Sequence, residues 1–149
     1  MALHKYESDI KIIPNNQDVI YNYLSNFDNL AQYMSDELLE QINEKVPQIK
    51  VSNFEADNDS CRFSIAGMGQ AEIRIIDREP SKTIKVASTG SLPIGITFWI
   101  QLLPSSPYET KMKLTLHAEM SMIIKMMLGK KLESGIDELA NMIAKLPFH

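Results

Sequence analysis

The sequence predicts an α+β domain in which a curved antiparallel sheet of about seven strands surrounds a long C-terminal helix. Between Ile49 and Met120 the chain consists mainly of segments with alternating apolar and polar residues, separated by short turn sequences. From about Met122 to Leu146 the apolar residues instead recur at helical spacing. We expect one domain over residues 1–149, because this length is common for a single domain and no linker-like tract divides the chain.

The N-terminal part is predicted to form one strand followed by short helices. Tyr6 to Ile13 alternate, which places Ile10 and Ile12 on the side that faces the core. After the turn at residues 14–16, apolar side chains recur at helical spacing over residues 19–30, with a bend near Asn26. A further helix is expected from Ser35, a residue type that favours the N-cap, to the residue before Pro47.

The strands that follow alternate so regularly that each should have one face in the core and one in water. Short turns between consecutive strands favour antiparallel neighbours. The expected strands are Ile49–Ala56, Ser60–Ala66, Gln70–Arg78, Thr83–Thr89, Ile96–Leu103 and Thr110–Met120. The residues predicted to face the core from all strands are Ile10, Ile12, Cys61, Phe63, Ile65, Ala71, Ile73, Ile75, Ile84, Val86, Phe98, Ile100, Leu102, Met112, Leu114 and Leu116.

The C-terminal helix is predicted to pack on this sheet through one apolar stripe. Gly129 and Gly135 each cost about 1 kcal/mol relative to alanine, whereas each large side chain of the stripe gains roughly 1.5–3 kcal/mol on burial. The helix should therefore form. The stripe comprises Ile124, Leu128, Leu132, Gly135, Ile136, Leu139, Met142, Ile143 and Leu146.

In this order of elements the chain resembles the START-like superfamily, also called SRPBCC or polyketide-cyclase-like, with its helix-grip fold. The resemblance lies in residues 17–30, in Arg74–Ile84, in Phe98–Leu102 and in the helix from Leu132 to Pro147. It implies a cavity between sheet and long helix, which would hold a lipid, polyketide, quinone or similar molecule. The side chains expected to line that cavity are Phe63, Ile73, Ile75, Phe98, Ile100, Leu114, Leu116, Leu128, Leu132 and Ile136.

Composition excludes several functions and favours a cytoplasmic protein. The net charge is −4 and the lysines are scattered, so we expect no nucleic-acid partner. The single cysteine, Cys61, permits no intramolecular disulfide, which favours a reducing compartment. The N-terminus does not resemble a signal peptide, and no apolar run approaches the length of a spanning helix, so we expect no stable membrane insertion.

No motif indicates a cofactor or a metal ion. Gly67-Met68-Gly69 begins like a dinucleotide fingerprint, but the third glycine is missing and a strand follows where phosphate binding needs a helix. A hairpin turn explains it. The histidines, His4, His117 and His149, have no metal-ligand spacing, and two of them lie near the termini.

The favoured function is the non-catalytic binding or carrying of a small hydrophobic molecule. An enzyme of the cyclase or dehydratase kind is the alternative, but it needs polar groups that converge in the cavity, and the predicted inner face offers only Cys61 as an ionisable group. A protein-interaction module is a third hypothesis, because alternation places Trp99 on the outer face, where a homodimer contact or a covering loop would shield it. A packed core without a cavity stays open as well.

Four residues at the start of the final helix lie outside its apolar stripe. Exposed clusters of this kind are uncommon, so we expect other segments to cover them, either the Gly90–Gly95 loop or the region around Phe27, Leu30 and Tyr33. Methionine adapts to different shapes, and Gly129 lies just beyond, where a helix bends at modest cost. We predict a cavity gate formed by Met122, Ile123, Met126 and Met127.

Overall fold

The computed structural model describes residues 2–31, 40, 44, 51–65, 69–89, 95–146 and 148. The sheet contains eight strands and is flanked by three helices with described bounds. The strands are β1 (Ala2–Glu7), β2 (Lys11–Ile13), β3 (Val51–Ala56), β4 (Ser60–Ile65), β5 (Gly69–Glu79), β6 (Thr83–Thr89), β7 (Gly95–Ser106) and β8 (Glu109–Met120). The helices are α1 (Gln17–Leu24), α2 (Asp28–Ala31) and α3 (Met122–Ala144). The helix predicted from Ser35 falls outside the described residues apart from Glu40 and Glu44, which are both helical.

The sheet confirms the predicted fold class. Its strand order is β1-β8-β7-β6-β5-β4-β3, with β2 also paired to β8, and every pair is antiparallel. Each strand from β3 to β8 therefore lies beside its neighbour in the chain, as short turns require. Only β1 and β2 pair across a long stretch of sequence, and they meet the last strand.

The predicted first strand is two strands, and its assigned faces are partly wrong. Glu7 pairs with Thr115 and Lys11 with Met112, so three residues of the N-terminal segment lie opposite two of β8. Such a bulge reverses the faces beyond it. Ile12 consequently points outward and is 50% exposed, while Ile13 is buried at 1%.

Within this bulge, Ser8 takes over part of the backbone pairing and Ile10 is left outside the core. The N–H of Ser8 donates to the carbonyl oxygen of Leu114 at 2.9 Å, and the Ser8 hydroxyl accepts from the Leu114 N–H at 2.9 Å. Ile10 lies in the extra length of chain and is 61% exposed, contrary to prediction. The serine hydroxyl thus keeps the β8 N–H satisfied where the regular ladder is broken.

The helix α1 closes one end of the sheet. Asn16 is its N-cap, and the side chain of Asn16 accepts a hydrogen bond from the N–H of Asp18. Side chains of Gln17 and Asp18 also bond to Ser81 in the turn between β5 and β6. The buried side of α1 consists of Ile20, Tyr21, Tyr23 and Leu24. The predicted bend near Asn26 corresponds to the break between α1 and α2.

The turn between β3 and β4 packs at the same end. The carboxylate of Asp57 accepts hydrogen bonds from the N–H groups of Asp59 and Ser60 and from the Ser60 hydroxyl, which lowers the pKa of Asp57 to about 2. Arg78 of β5 pairs with Asp59 at 2.7 Å and donates to the carbonyl oxygen of Ser25 at 3.0 Å. Arg78 therefore ties this turn to the end of α1.

The long helix α3 begins at the N-cap Ser121 and packs on β8, β1 and β2. Its side toward the sheet differs from the predicted stripe. Ile136 and Ala140 are buried at 4% and 0%, whereas Leu139 is 39% exposed. Asp137 faces the bulge, where Oδ1 accepts from the N–H of Asp9 at 2.9 Å and lies 3.1 Å from Nζ of Lys11. The helix is thus rotated about its axis from the orientation that the large apolar residues predict.

None of the described helices has both the length and the apolar character that crossing a membrane requires.

Candidate functional site

The inner face of the sheet is closed at one end by α1 and the turns that pack on it. Ile84 of β6 pairs with Ile100 of β7, which pairs with Leu114 of β8, and all three are almost inaccessible. We call this group, with Leu102 and Met112, the closed end; the five side chains are 0–5% exposed. Such residues form a packed core with no accessible surface for a ligand.

Toward the other end of the strands, apolar side chains on the same face keep part of their surface accessible. We call Phe63, Ile73, Ile96 and Phe98 the open end; all four are partly buried and pack against the core. They lie on β4, β5 and β7. The helix α3 packs on β8, β1 and β2, toward the opposite edge of the sheet. Accessible apolar surface on the inner face of a sheet is the usual lining of a small-molecule site.

The predicted lining residues divide between these two environments. Phe63, Ile73 and Phe98 belong to the open end, and Leu132 of α3 is likewise partly buried. Nothing is described of the Leu128 side chain. The other predicted lining residues are in the buried core, namely Ile75, Ile100, Leu114, Leu116 and Ile136. The assignment of a cavity wall to these ten residues stays a prediction.

The inner face also carries polar side chains that the sequence analysis missed, namely His4, Tyr6 and, beyond the bulge, Lys11, which pairs with the buried Met112. His4 pairs with Ala118 and Tyr6 with Leu116, and directly paired residues of antiparallel strands point to the same face. Both therefore lie inside, next to α3. The prediction that Cys61 is the only ionisable residue on this face is wrong. The sequence alone does not reveal this, because the outward set that alternates with His4 and Tyr6 includes the apolar Leu3.

His4 and Tyr6 are held in a largely apolar corner. Nε2 of His4 is buried and has no hydrogen-bond partner among the described residues. Burial, and then the charge of Glu133 on α3, raise the pKa of Tyr6 above its ordinary value. The Tyr6 hydroxyl therefore stays protonated and is a hydrogen-bond donor. A methyl group added at Gly129 would lie 3.6 Å from Oη of Tyr6, so the helix passes directly over this hydroxyl.

Cys61 is an inert member of the core. It is 4% exposed, and burial raises the pKa of its thiol to about 12. The thiolate is the reactive form of cysteine, and it is absent at neutral pH with such a pKa. Cys61 is therefore no candidate nucleophile. Across the described parts of the chain, no three side chains of His, Cys, Asp or Glu are grouped so that they could hold a metal ion.

The four residues of the predicted gate are exposed. Met122, Ile123, Met126 and Met127 have 65%, 72%, 84% and 68% of their surface accessible, so the expectation that other segments cover them is wrong. Phe27 is itself buried at 4%, while the side chain of Leu30, Tyr33 and residues 90–94 lie outside the description. The gate stays a prediction.

Trp99 lies on the outer face and is partly buried by its neighbours. Its ring meets that of His117 edge-on, with centroids 4.5 Å apart, and Nζ of Lys85 lies 5.5 Å from the Trp99 ring centroid. Side chains on the adjacent strands thus shield part of the indole. A homodimer through this surface stays a prediction.

Comparisons with known proteins place this geometry in a recognised fold. No family model matches the sequence, and no curated protein matches it significantly. A structure of truncated norcoclaurine synthase from Thalictrum flavum matches with a TM-score of 0.64 at 11% identity, over 97% of this chain and 92% of that one. The same enzyme in complex with dopamine and hydroxybenzaldehyde gives 0.62 at 11% identity, over 97% and 86%.

A third similar structure is the Mll3558 protein from Rhizobium loti, with a TM-score of 0.60 at 14% identity, over 97% of this chain and 98% of that one. At such identities the likeness concerns the fold and not the activity. The eight-stranded antiparallel sheet, the short helix after the N-terminal strands and the long C-terminal helix agree with it. The chain therefore has the helix-grip fold, in which an antiparallel sheet surrounds a long C-terminal helix.

Proposed function

We propose that the protein binds or carries a small hydrophobic molecule between the inner face of the sheet and α3. The observation that supports this most is the difference within one apolar face. The closed end is packed, whereas Phe63, Ile73, Ile96 and Phe98 of the open end remain accessible. Leaving four large apolar side chains accessible costs free energy that a bound apolar molecule would recover. We place this carrier in the cytoplasm, where the thiol of Cys61 stays reduced.

The corner formed by His4 and Tyr6 suggests which polar group the molecule would present. Tyr6 offers a donor, and the unpartnered Nε2 of His4 is a buried polar atom whose desolvation is uncompensated. A ligand oxygen, such as a ketone or ester carbonyl, would accept from Tyr6. The expected ligand is therefore an apolar molecule with one or a few oxygen atoms, which includes the lipid, polyketide and quinone classes.

An enzyme of the cyclase or dehydratase kind is the second candidate, and the same two side chains favour it. The norcoclaurine synthase of similar fold was solved with two small molecules bound. However, Nε2 of His4 has no partner among the described residues and so does not bond to the Tyr6 hydroxyl, and the raised pKa of Tyr6 keeps this phenol un-ionised at neutral pH. These features fit ligand positioning better than proton transfer, and we keep carriage as the leading function.

Two experiments test the proposal. First, mass spectrometry of an organic extract of the purified protein should reveal an apolar compound at near-stoichiometric amounts. Second, the affinity for N-phenyl-1-naphthylamine, followed by fluorescence, should fall about tenfold or more in Phe98→Ala, because an aromatic contact of the open end is lost. Ile76→Ala, at a 51% exposed position on β5, is the matched control and should bind normally. Equal affinities in both variants would contradict the assigned site.

The polar corner is tested with two probes of nearly the same shape. Equilibrium dialysis compares the affinities for 2-acetylnaphthalene, which has a carbonyl oxygen, and 2-ethylnaphthalene, which has none. Tyr6→Phe should lower the affinity for 2-acetylnaphthalene about fivefold, the usual contribution of one neutral hydrogen bond, and leave the affinity for 2-ethylnaphthalene unchanged. An unchanged ratio of the two affinities in Tyr6→Phe would exclude Tyr6 from the site. Conversion of either probe into a product, if substitution of His4 abolishes it, would favour the enzyme.

A further inference from the structure

Neither the fold nor the proposed ligand site explains the exposed apolar group at the start of α3. We call Met122, Ile123, Met126 and Met127 the methionine patch. All four are at least 65% exposed, and Met126 reaches 84%. Large apolar side chains exposed in a contiguous group mark an interaction site more often than those scattered singly.

The patch forms one side of the helix, and lysines flank it. Successive residues of an α-helix are 100° apart, so the four side chains span an arc of about 140°. Lys125 lies beside one edge of that arc and Lys131 beside the other, and Lys130 follows within it one turn later. Leu132, which packs toward the core, projects in a different direction. The four side chains are exposed, although Met122 has the same helical direction as the buried Ala140.

The charge around the patch differs from that of the whole protein. Residues 121–132 contain three lysines and no acidic residue, although the chain as a whole carries −4. Among the described residues no ion pair involves Lys125, Lys130 or Lys131. The acidic residues that follow and precede this segment are Glu133 and Glu119. The surface is thus apolar in the middle and basic around it.

We propose that the methionine patch docks on an anionic lipid bilayer, and that the ligand is exchanged with the bilayer there. An apolar helix face with basic residues at its borders matches the layers of a membrane surface, because the apolar side chains enter the acyl boundary and lysines meet the headgroups. Methionine suits this role because its flexible side chain adapts to a fluid surface.

A second copy of the chain fits the patch less well. In a twofold contact the same surface of both copies meets, so the flanking lysines of one copy would face those of the other. That arrangement repels, whereas anionic headgroups attract the same lysines. The position also suits exchange, since α3 begins directly after Met120, at the end of the sheet where β5 and β7 begin with Gly69 and Gly95. The open-end side chains lie toward this same end.

Flotation with lipid vesicles tests the docking surface. The full-length protein should float with vesicles that contain phosphatidylcholine and phosphatidylserine, and at least tenfold less with phosphatidylcholine alone. Met126→Ser combined with Met127→Ser should lower binding about tenfold or more, because the inserted apolar surface is lost. Lys130→Glu combined with Lys131→Glu should lower it by a similar factor and weaken the dependence on salt, since each lysine near an anionic surface contributes roughly fivefold.

Leu103→Ser is the matched control, because Leu103 is 63% exposed on β7 near the opposite end of the sheet. It should bind vesicles like the wild type. The proposal is overturned if the wild type ignores anionic vesicles, if Leu103→Ser loses as much binding as the methionine variant, or if the wild type is a dimer in solution that the methionine variant dissociates.

The docking surface rests on the proposed carrier function, and separate experiments can refute the docking and the carriage. Vesicle binding without any binding of N-phenyl-1-naphthylamine would refute the carrier and leave the docking surface standing. The methionine variant also decides between docking and the predicted gate. Unchanged uptake of the probe without vesicles, together with lost vesicle binding, supports docking. Altered uptake in vesicle-free buffer with normal vesicle binding supports the gate and overturns docking.

Discussion

The closed end and the open end of the inner face are built from the same kinds of residues, yet they have different surroundings. Ile84 of the closed end is 0% exposed, because α1 and the turn at Ser81 pack around it. Ile73 of the open end lies on the same face of the next strand but remains partly accessible. The difference shows that an apolar sheet face alone does not reveal whether it is packed core or a ligand site. The elements that cover the face decide between them.

The largest expected effect separates the two ends by one chemical change. Ile84→Ala should lower the free energy of unfolding by about 2–5 kcal/mol, because a fully buried side chain leaves a cavity. Ile73→Ala should cost only about 1–2 kcal/mol, since less of its surface is removed from water. Urea unfolding of both variants measures the difference. Equal losses would show that the open end is packed as tightly as the closed end.

The bulge between β1 and β2 allows a second matched pair. Ile13→Ala should cost about 2 kcal/mol or more, because Ile13 is 1% exposed and joins the core. Ile12→Ala should change the free energy of unfolding by less than about 0.5 kcal/mol, as is usual at exposed positions. Thermal or urea unfolding distinguishes these values. A larger loss at Ile12 than at Ile13 would restore the uninterrupted strand that alternation predicts.

A smaller effect is expected where α3 meets this bulge. Asp137→Asn should cost about 1 kcal/mol at pH 7, because the charged partner of the Asp9 N–H and of Lys11 is lost. The Asp9 N–H and Lys11 lower the pKa of Asp137, so the stabilisation is present above the ordinary pKa of an aspartate and is lost as the pH falls through the lowered value. The difference in the free energy of unfolding between the wild type and Asp137→Asn should therefore be smaller at pH 3 than at pH 7. A constant difference would show that charge is not involved.

The smallest effect has the opposite sign. Gly129→Ala should raise the free energy of unfolding by about 0.5–1 kcal/mol, because alanine favours the helix interior. The added methyl group would lie 3.5 Å from Cγ of Lys125 and 3.6 Å from Oη of Tyr6, which are ordinary contacts. A higher melting temperature is the expected result. Destabilisation would mean that α3 lies closer to β1 than these distances indicate.

The sequence predicted the fold well because most strands keep one apolar and one polar face. The predicted bounds of Thr83–Thr89 are those of β6, and Thr110–Met120 differs from β8 by one residue. The bulge was not predictable, because Ile12 and Ile13 are both apolar and either of them could face the core. The rotation of α3 was missed for a related reason. A stripe defined by large residues ignores Ala140 and Gly129, the small residues that allow close packing on the sheet.

The candidate site was predicted only in part. Phe63, Ile73 and Phe98 were recognised as inner-face residues from alternation alone. His4 and Tyr6 were not, because ionisable or polar residues near an N-terminus resemble a solvated tail until their pairing with β8 is known. Exposure of the methionine patch was also beyond the sequence, since helical spacing defines which residues share a side but not what covers that side.

The pairing of β1 with β8 has a consequence for how the chain acquires this structure. Ala2 pairs with Met120, so β1 cannot pair with β8 until nearly the whole chain has been synthesised. During synthesis, β3 to β7 can form hairpins in sequence, while β7 keeps a free edge until Glu109 to Met120 emerge. Pairing over such a separation gives a high contact order, which slows folding and lengthens the time for which strand edges are exposed. We therefore expect folding to be completed late, when β8 pairs with β1 and α3 packs on both strands.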